Sequence, residues 1–172
     1  MSIQLFKASR FDSPYDVLGY QIRLMSAFWH RRLNAELAPL GLTEMQFVLL
    51  IGLGWLLEKQ SGGITQSQLA DGCSCSKALT SQVLQTLKHK GLVDVASDKA
   101  DARTRLVKLS PAGENILGRA VVVLDETDEK FWEGAGEIKV QLSIALQAAL
   151  KFKVEDGGLN VGGRMPGLVD GD

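Results

Sequence analysis

Cys73 and Cys75, with one serine between them, are the residues whose type and spacing suggest chemistry most directly. A pair of thiolates binds soft metal ions or reacts with oxidants. Two sulfur atoms alone do not complete a metal site, and His89 lies well beyond them along the chain. A buried structural cysteine is the favoured interpretation of Cys75. A regulator that senses metal or thiol oxidation through Cys73 and Cys75 is the alternative.

The two histidines, His30 and His89, are the other candidates for chemistry. Neither stands with Ser, Cys or carboxylate residues in the order of a catalytic motif. The chain also lacks the glycine patterns of a P-loop and of a dinucleotide-binding turn. The sequence therefore predicts a protein that is not an enzyme, with no catalytic residue, no metal ligand set and no cofactor.

A polar helix follows the cysteines. The pattern predicts a helix from about Ser76 to His89, with Leu79, Val83 and Leu87 on its apolar face. Hydroxyl, amide and ammonium groups at the start of such a helix can reach base edges in the major groove or bond to phosphates. A solvated face that binds nothing is the alternative. The candidate DNA contacts are Ser76, Lys77, Thr80, Ser81, Gln82, Gln85 and Lys88.

A shorter helix precedes this one. Thr65 and Gln68 have the spacing of a capping box, and Gly72 ends the predicted helix. Two helices joined by a tight turn favour a helix-turn-helix. The free N–H groups at the start of the shorter helix can hold a phosphate, which makes Thr65, Gln66 and Ser67 candidate DNA contacts. Plain capping explains the same residues and is compatible with that role.

A charged loop, SDKADART, separates two short β-like runs at 92–95 and 105–109. A hairpin packed on a helix-turn-helix is a winged helix, and this loop is then the tip of the wing. Arg103 suits an A·T-rich minor groove, where the negative potential is strongest, and Asp101 can hold it extended. Lys99 and Arg105 complete the candidate contacts of the wing.

Long helices are predicted on both sides of this unit. One covers about 15–38, with Leu18, Ile22, Met25, Trp29 and Leu33 on one face, and an apolar helix to about residue 60 begins in a capping box at Thr43. After Ser110 and Pro111, which suit a helix start, further helices cover about 111–132 and 135–153. The fold class is therefore mainly α with a small β-hairpin.

Aromatic and apolar residues on the first two predicted helices, with one histidine, suit the wall of a small-molecule pocket. The same residues suit a hydrophobic core equally well. The candidate effector-binding residues are Trp29, His30, Met45, Phe47 and Trp55.

Composition is that of an ordinary globular chain, with 45% hydrophobic and 23% charged residues among 172 and a net charge of −1. No stretch suits a signal peptide or a transmembrane helix, so a cytoplasmic protein is expected. The charges are unevenly placed, with six cations against four anions in 65–105 and seven against eleven from 106 onward. A mildly basic middle is compatible with DNA binding.

The stretch LVDVASDKADARTRLVKLSPAGENIL resembles the wing pattern of the MarR family of winged helix-turn-helix regulators, through Asp98, Asp101, Arg103, Ser110 and Gly113. The position and spacing of a second stretch, TQSQLADGCSCSKALTSQVLQTLKHKGLV, are also similar to those of the same family. The resemblance implies a homodimer on double-stranded DNA at a near-palindromic site. It also implies a transcriptional repressor released by a small aromatic or phenolic ligand, by oxidation or by a metal. A winged-helix protein-interaction module without specific DNA binding is a further alternative.

The predicted elements, the composition and the resemblance together divide the chain into four regions. They are an N-terminal dimerisation region (1–42), the winged helix-turn-helix (43–110), C-terminal dimerisation helices (111–154) and a Gly-rich tail (155–172) expected to be mobile. The chain departs from the family at Gln82, where many members have Arg. Because Gln suits adenine and Arg suits guanine, the operator sequence is not transferable from relatives.

Overall fold

The structure is a computed structural model that describes residues 9–60, 62–97 and 104–155, with side chains at the C-terminal end described as far as Phe152. Short 3₁₀ turns at Pro14–Asp16 and Ala38–Leu40 flank the first helix. The main elements are α1 (Leu18–Leu37), α2 (Glu44–Lys59), β1 (Ile64–Thr65), α3 (Gln66–Gly72), α4 (Lys77–His89), β2 (Val93–Ser97), β3 (Arg105–Leu109), α5 (Pro111–Phe131) and α6 (Glu137–Glu155).

Local capping chemistry sets where the helices begin. Thr43 and Thr65 each form a complete capping box, with Gln46 and Gln68 as the reciprocal partners. Ser110 caps α5, and Pro111 occupies its first position. These predicted helix starts are confirmed.

Helix α2 is the centre of the hydrophobic core. Phe47, Leu49, Leu50 and Leu53 are each at most 2% exposed. Residues from every other element except α6 surround them, including Leu33, Ile64, Leu69, Leu87, Val93, Val107 and Ala120. The prediction that this nearly all-apolar helix lies centrally is therefore confirmed.

The sheet has three antiparallel strands in the order β1-β3-β2. Val95 pairs with Val107 in the predicted hairpin, and Ile64 of β1 pairs with Val107 from the other side. Strand β1 was not predicted, because it has only two residues and its partner lies far along the chain. Gly63 permits the close approach, since a Cβ there would lie 2.6 Å from Cβ of Leu106.

Two apolar helix faces remain uncovered in the single chain. On α1, Leu18 is 67% exposed and Ile22 49%, whereas Leu33 near the other end is buried. On α6, Ile138 and Phe152 are more than 60% exposed. None of the described helices is by itself long and apolar enough to cross a membrane. The pair formed by α1 with its 3₁₀ extension and α2, which meet at a bend of 81°, passes the same test by length and composition only.

Candidate nucleic-acid interface

The turn between α3 and α4 holds the two helices in a fixed relation. Ser74 adopts a left-handed conformation (φ 52°), and the Cys75 N–H donates to the carbonyl of Ala70 at 2.8 Å. The amide Nε2 of Gln66 donates to the carbonyl of Lys77 at 3.2 Å. Backbone and side chain therefore both tie the start of α4 to α3, as a helix-turn-helix requires.

Helix α4 presents a polar face to solvent. Ser76 caps it by accepting a hydrogen bond from the Leu79 N–H at 3.2 Å. No carboxylate occurs between Lys77 and His89, so the electrostatic character of the helix is set by its lysines. The predicted contacts that are exposed are Ser76, Lys77, Gln82, Gln85 and Lys88, while Ser81 is half-buried.

Thr80 corrects the predicted contact set. Its side chain is fully buried, and its hydroxyl donates to the Ser76 carbonyl at 3.0 Å. Leu79, which was placed on the apolar face, is instead 37% exposed. The buried face of α4 consists of Thr80, Leu84 and Leu87. Thr80 therefore belongs to the core and cannot reach a base.

The start of α3 uses its polar groups internally. The Thr65 hydroxyl accepts from the Gln68 N–H, and the Gln66 amide is engaged with Lys77. Ser67 is exposed. The capping role of Thr65 is thus present, while Gln66 acts as a tie between two helices.

The wing is described only at its base. Arg105 in β3 pairs with Ser97 in β2, and its side chain is exposed, as is that of Lys108. The predicted contacts Lys99, Asp101 and Arg103 lie outside the described residues, as do most residues of the predicted tail.

The two cysteines are packed into the turn. Burial raises the pKa of the Cys73 thiol to about 12, with a further contribution from Cys75. Burial and the Glu44 carboxylate also raise the pKa of Cys75. The Cys75 thiol lies 3.3 Å from the carbonyl of Cys73 and 3.8 Å from the sulfur of Met45. Both groups are therefore protonated thiols at neutral pH, which disfavours thiolate chemistry.

Among the described residues, no group of three or more His, Cys, Asp or Glu side chains is placed to hold a metal ion. His30 does have a carboxylate partner, since its Nδ1 lies 2.9 Å from Oε1 of Glu44. That pair joins α1 to the start of α2.

The predicted effector residues have different surroundings in the single chain. Phe47 is buried in the core, and Trp55 is 41% exposed with Nζ of Lys59 4.6 Å from its ring centroid. Met45 contacts Cys75, and His30 contacts Glu44. Trp29 lines a cavity beside α6.

That cavity, of about 470 Å³, lies between α1, the end of α5 and α6. Trp29 stacks edge-to-face on Phe131, with 5.3 Å between ring centroids, and Phe131 does so on Trp132 at 5.1 Å. Leu142 of α6 and Asp128 of α5 also line it. The sequence pattern missed Phe131 and Trp132, because α1 and α5 come together only in the folded chain.

Comparisons with known proteins bear on this arrangement. The chain is 28% identical over 145 residues to YdcH of Bacillus subtilis, described as an uncharacterised HTH-type transcriptional regulator, covering 84% of this chain and 97% of that protein. A mutant MarR from Escherichia coli complexed with operator DNA superposes with a TM-score of 0.71 at 23% identity, over 81% and 99% of the two chains. CouR from Rhodococcus jostii bound to p-coumaroyl-CoA gives 0.67 at 21% identity, over 81% and 95%. No family model matches the sequence.

A helix-turn-helix with an antiparallel hairpin packed beside it and long helices on both sides defines a winged helix-turn-helix protein. The sequence relative and the solved structures narrow this class. The chain is similar in sequence to an HTH-type transcriptional regulator and in fold to transcriptional regulators of the MarR family. The predicted winged helix-turn-helix fold is thereby confirmed.

Proposed function

We propose that this DNA-binding regulator is a cytoplasmic homodimeric repressor that a small aromatic ligand releases from a near-palindromic operator. Each subunit places α4 in a major groove and its wing, with Arg103, in the flanking minor groove. The two half-sites then lie about 34 Å apart, one turn of the DNA helix. The exposed, carboxylate-free face of α4 is the observation that carries this proposal.

The chemistry of α4 supports base reading. Gln82 and Gln85 are one turn apart and exposed, and a Gln side chain can bond bidentately to adenine. Lys77 and Lys88, at the two ends of the helix, suit phosphates on either side of the groove. Arg105 and Lys108 extend the positive charge onto β3.

Dimerisation is supported by the apolar faces that a single chain leaves exposed. Helix α6 has large exposed side chains along its length, and within the chain it is held to α5 by an ion pair between Lys139 and Asp128. An apolar helix of 19 residues with so little packing gains its stability from a partner. A second copy that covers α6 and the first half of α1 buries both faces at once.

Ligand release is supported by the aromatic cavity beside Trp29. Apolar walls with a few polar groups suit a small aromatic molecule. A ligand can bind more tightly to a dimer whose α4 helices are wrongly spaced for the operator than to the DNA-binding dimer. The difference between these two ligand-binding free energies is the amount by which DNA binding is weakened. The cavity is adjacent to the proposed dimer faces, so its filling can change how the subunits meet.

The decisive experiment measures binding to DNA from upstream of the protein's own gene at several salt concentrations. Wild type is expected to prefer that DNA over random sequence and to weaken steeply with salt. Lys77→Ala is expected to reduce the salt slope by about one, whereas Lys130→Ala on α5 leaves the slope unchanged. Arg103→Ala tests the wing in the same assay.

Equal affinity for upstream and random DNA, with no effect of Lys77→Ala or Arg103→Ala, would show that the chain does not recognise this target. A protein-interaction module without specific DNA binding would then explain the fold. Repression is tested separately, with a reporter gene under the bound sequence whose expression falls when the protein is supplied. Aromatic ligands are screened by release from that DNA and by a change in Trp fluorescence.

A further inference from the structure

Lys90 joins the end of α4 to the turn between α1 and α2. It is the C-cap residue of α4, and its Nζ donates to the carbonyl of Gly41 at 2.6 Å and to Oε1 of Gln46 at 2.8 Å. Gly41 has a left-handed backbone (φ 69°), a conformation that glycine adopts without strain in a tight turn. An ammonium with two oxygen partners makes strong, charge-assisted hydrogen bonds.

The acceptor on α2 is itself rigid. Gln46 is 7% exposed, and the same Oε1 accepts from the Thr43 N–H at 3.3 Å as part of the capping box. Lys90 is therefore attached to the first turn of α2 rather than to a mobile side chain.

The first turn of α2 is in turn attached to α1. The Glu44 N–H donates to Oδ1 of Asn34 at 2.8 Å, and the Glu44 carboxylate contacts His30 at 2.9 Å. Polar contacts thus run from α1 through the start of α2 to the end of α4. They connect a helix of the proposed dimer interface with the helix proposed to read DNA.

The same end of α4 is also bonded to α5. The carbonyl of Gly91 accepts from the Ser110 hydroxyl at 2.6 Å, and the carbonyl of Leu92 accepts from the Ser110 N–H at 3.1 Å. The C-terminal end of α4 is therefore fixed against both long helices that flank the winged unit.

We propose that Lys90 is a positioning residue for DNA binding, which fixes the orientation of α4 relative to α1 and so sets the half-site spacing that the dimer accepts. This inference rests on the proposed function and adds to it the residue that controls spacing. Removing the ammonium leaves the capping box of α2 intact, because the Thr43 N–H still bonds Gln46. The Lys90 link is thus removed without a buried polar group being left unpaired.

The first test measures helix orientation without DNA. Genetically encoded nitroxide labels are placed at Ala35 on α1 and Gln85 on α4. Labelled subunits are diluted with unlabelled protein, so that the measured distance is the one between the two helices of a single chain. Lys90→Met is expected to broaden or shift this distance distribution. Lys90→Arg, which can donate to both oxygens, is expected to restore it, and Lys130→Met serves as a matched control with the wild-type distribution.

The second test uses unlabelled variants and operators with one base pair inserted or removed between the half-sites. Lys90→Met is expected to bind the best operator on the order of tenfold more weakly, the scale of a lost charge-assisted hydrogen bond. The variant is expected to lose less affinity than wild type when one base pair is inserted or removed between the half-sites. The dependence of its DNA affinity on salt concentration is expected to stay unchanged. Lys90→Arg is expected to recover both affinity and spacing preference.

An unchanged distance distribution in Lys90→Met would overturn the proposal whether or not DNA binds. A salt slope reduced by about one would also overturn it, because Lys90 would then contact a phosphate. If wild type binds no DNA selectively but the distribution changes in Lys90→Met and recovers in Lys90→Arg, the proposed function fails. The positioning of α4 by Lys90 then stands.

Discussion

The backbone carbonyl of Leu92 occupies the space that a Cβ on residue 113 would need. Gly113 lies in the first turn of α5 and is buried against the segment that follows α4. The Ser110 cap forms beside this contact, since its hydroxyl accepts from the Gly113 N–H at 3.0 Å. The packing of α5 on the winged unit therefore depends on the absence of a side chain at position 113.

Gly113→Ala is expected to lower the free energy of unfolding by about 1–3 kcal/mol, as overpacking against a fixed group does. The neighbouring atoms are main-chain atoms of Leu92, which cannot rotate away. Chemical denaturation at a fixed protein concentration measures the change.

Gly118→Ala is the matched control in the same helix, because nothing lies within 4 Å of its added Cβ. It is expected to raise stability by about 0.5–1 kcal/mol, the helix preference of Ala over Gly. Equal effects of the two substitutions would contradict the close contact at Leu92.

Features of the fold that depend on residues close together in the sequence were predicted. The Thr43 and Thr65 capping boxes and the Ser110 cap are local hydrogen-bond patterns, so their residues identify them without knowledge of the fold. Strand β1 and the Lys90 contact were not predictable in this way. The Lys90–Gly41 bond joins residues 49 positions apart, and nothing in the sequence around either residue marks the other.

The face of α4 shows why site residues are harder to predict than helix bounds. Leu79 and Thr80 are adjacent, and polarity alone places the leucine inside and the threonine outside. The structure reverses them because the Thr80 hydroxyl bonds to the carbonyl of Ser76, which removes the cost of burying it. The sequence also could not place Phe131 and Trp132 beside Trp29, because that contact depends on how α1 and α5 pack.

Gln82→Arg is expected to change base preference rather than overall affinity. If Gln82 bonds to adenine, an Arg there favours guanine at the same position of each half-site, with about 1–3 kcal/mol of discrimination. Selection of bound sequences from a random library, for wild type and variant, measures the change. An unchanged preferred sequence would show that Gln82 does not contact a base.

Cys73 is expected to react slowly with iodoacetamide in the folded protein at pH 7.5. Its pKa is raised from an ordinary value of 9.0 to about 12, so the reactive thiolate is scarce in the folded state and more abundant on unfolding. Because the folded pKa is the higher one, the thiol contributes stability below pH 9 that is lost as the pH rises toward 12. Mass spectrometry of the native and the urea-unfolded chain compares the rates. Fast native labelling at neutral pH would favour the thiol-sensor alternative.

Leu150→Glu on α6 is expected to dissociate the proposed dimer. Leu150 is 43% exposed in the single chain, and burial of a Leu side chain in an interface contributes about 1.5–3 kcal/mol. A two-fold interface contains the change twice, so the dimer Kd is expected to rise about a hundredfold or more. Asn115→Glu introduces the same charge at an exposed polar position near the start of α5 and is expected to leave the dimer intact. Sedimentation equilibrium over a range of protein concentrations distinguishes the two variants. Dimers of equal strength in both would place the subunit interface away from α6, and the exposed apolar face of that helix would then need another partner.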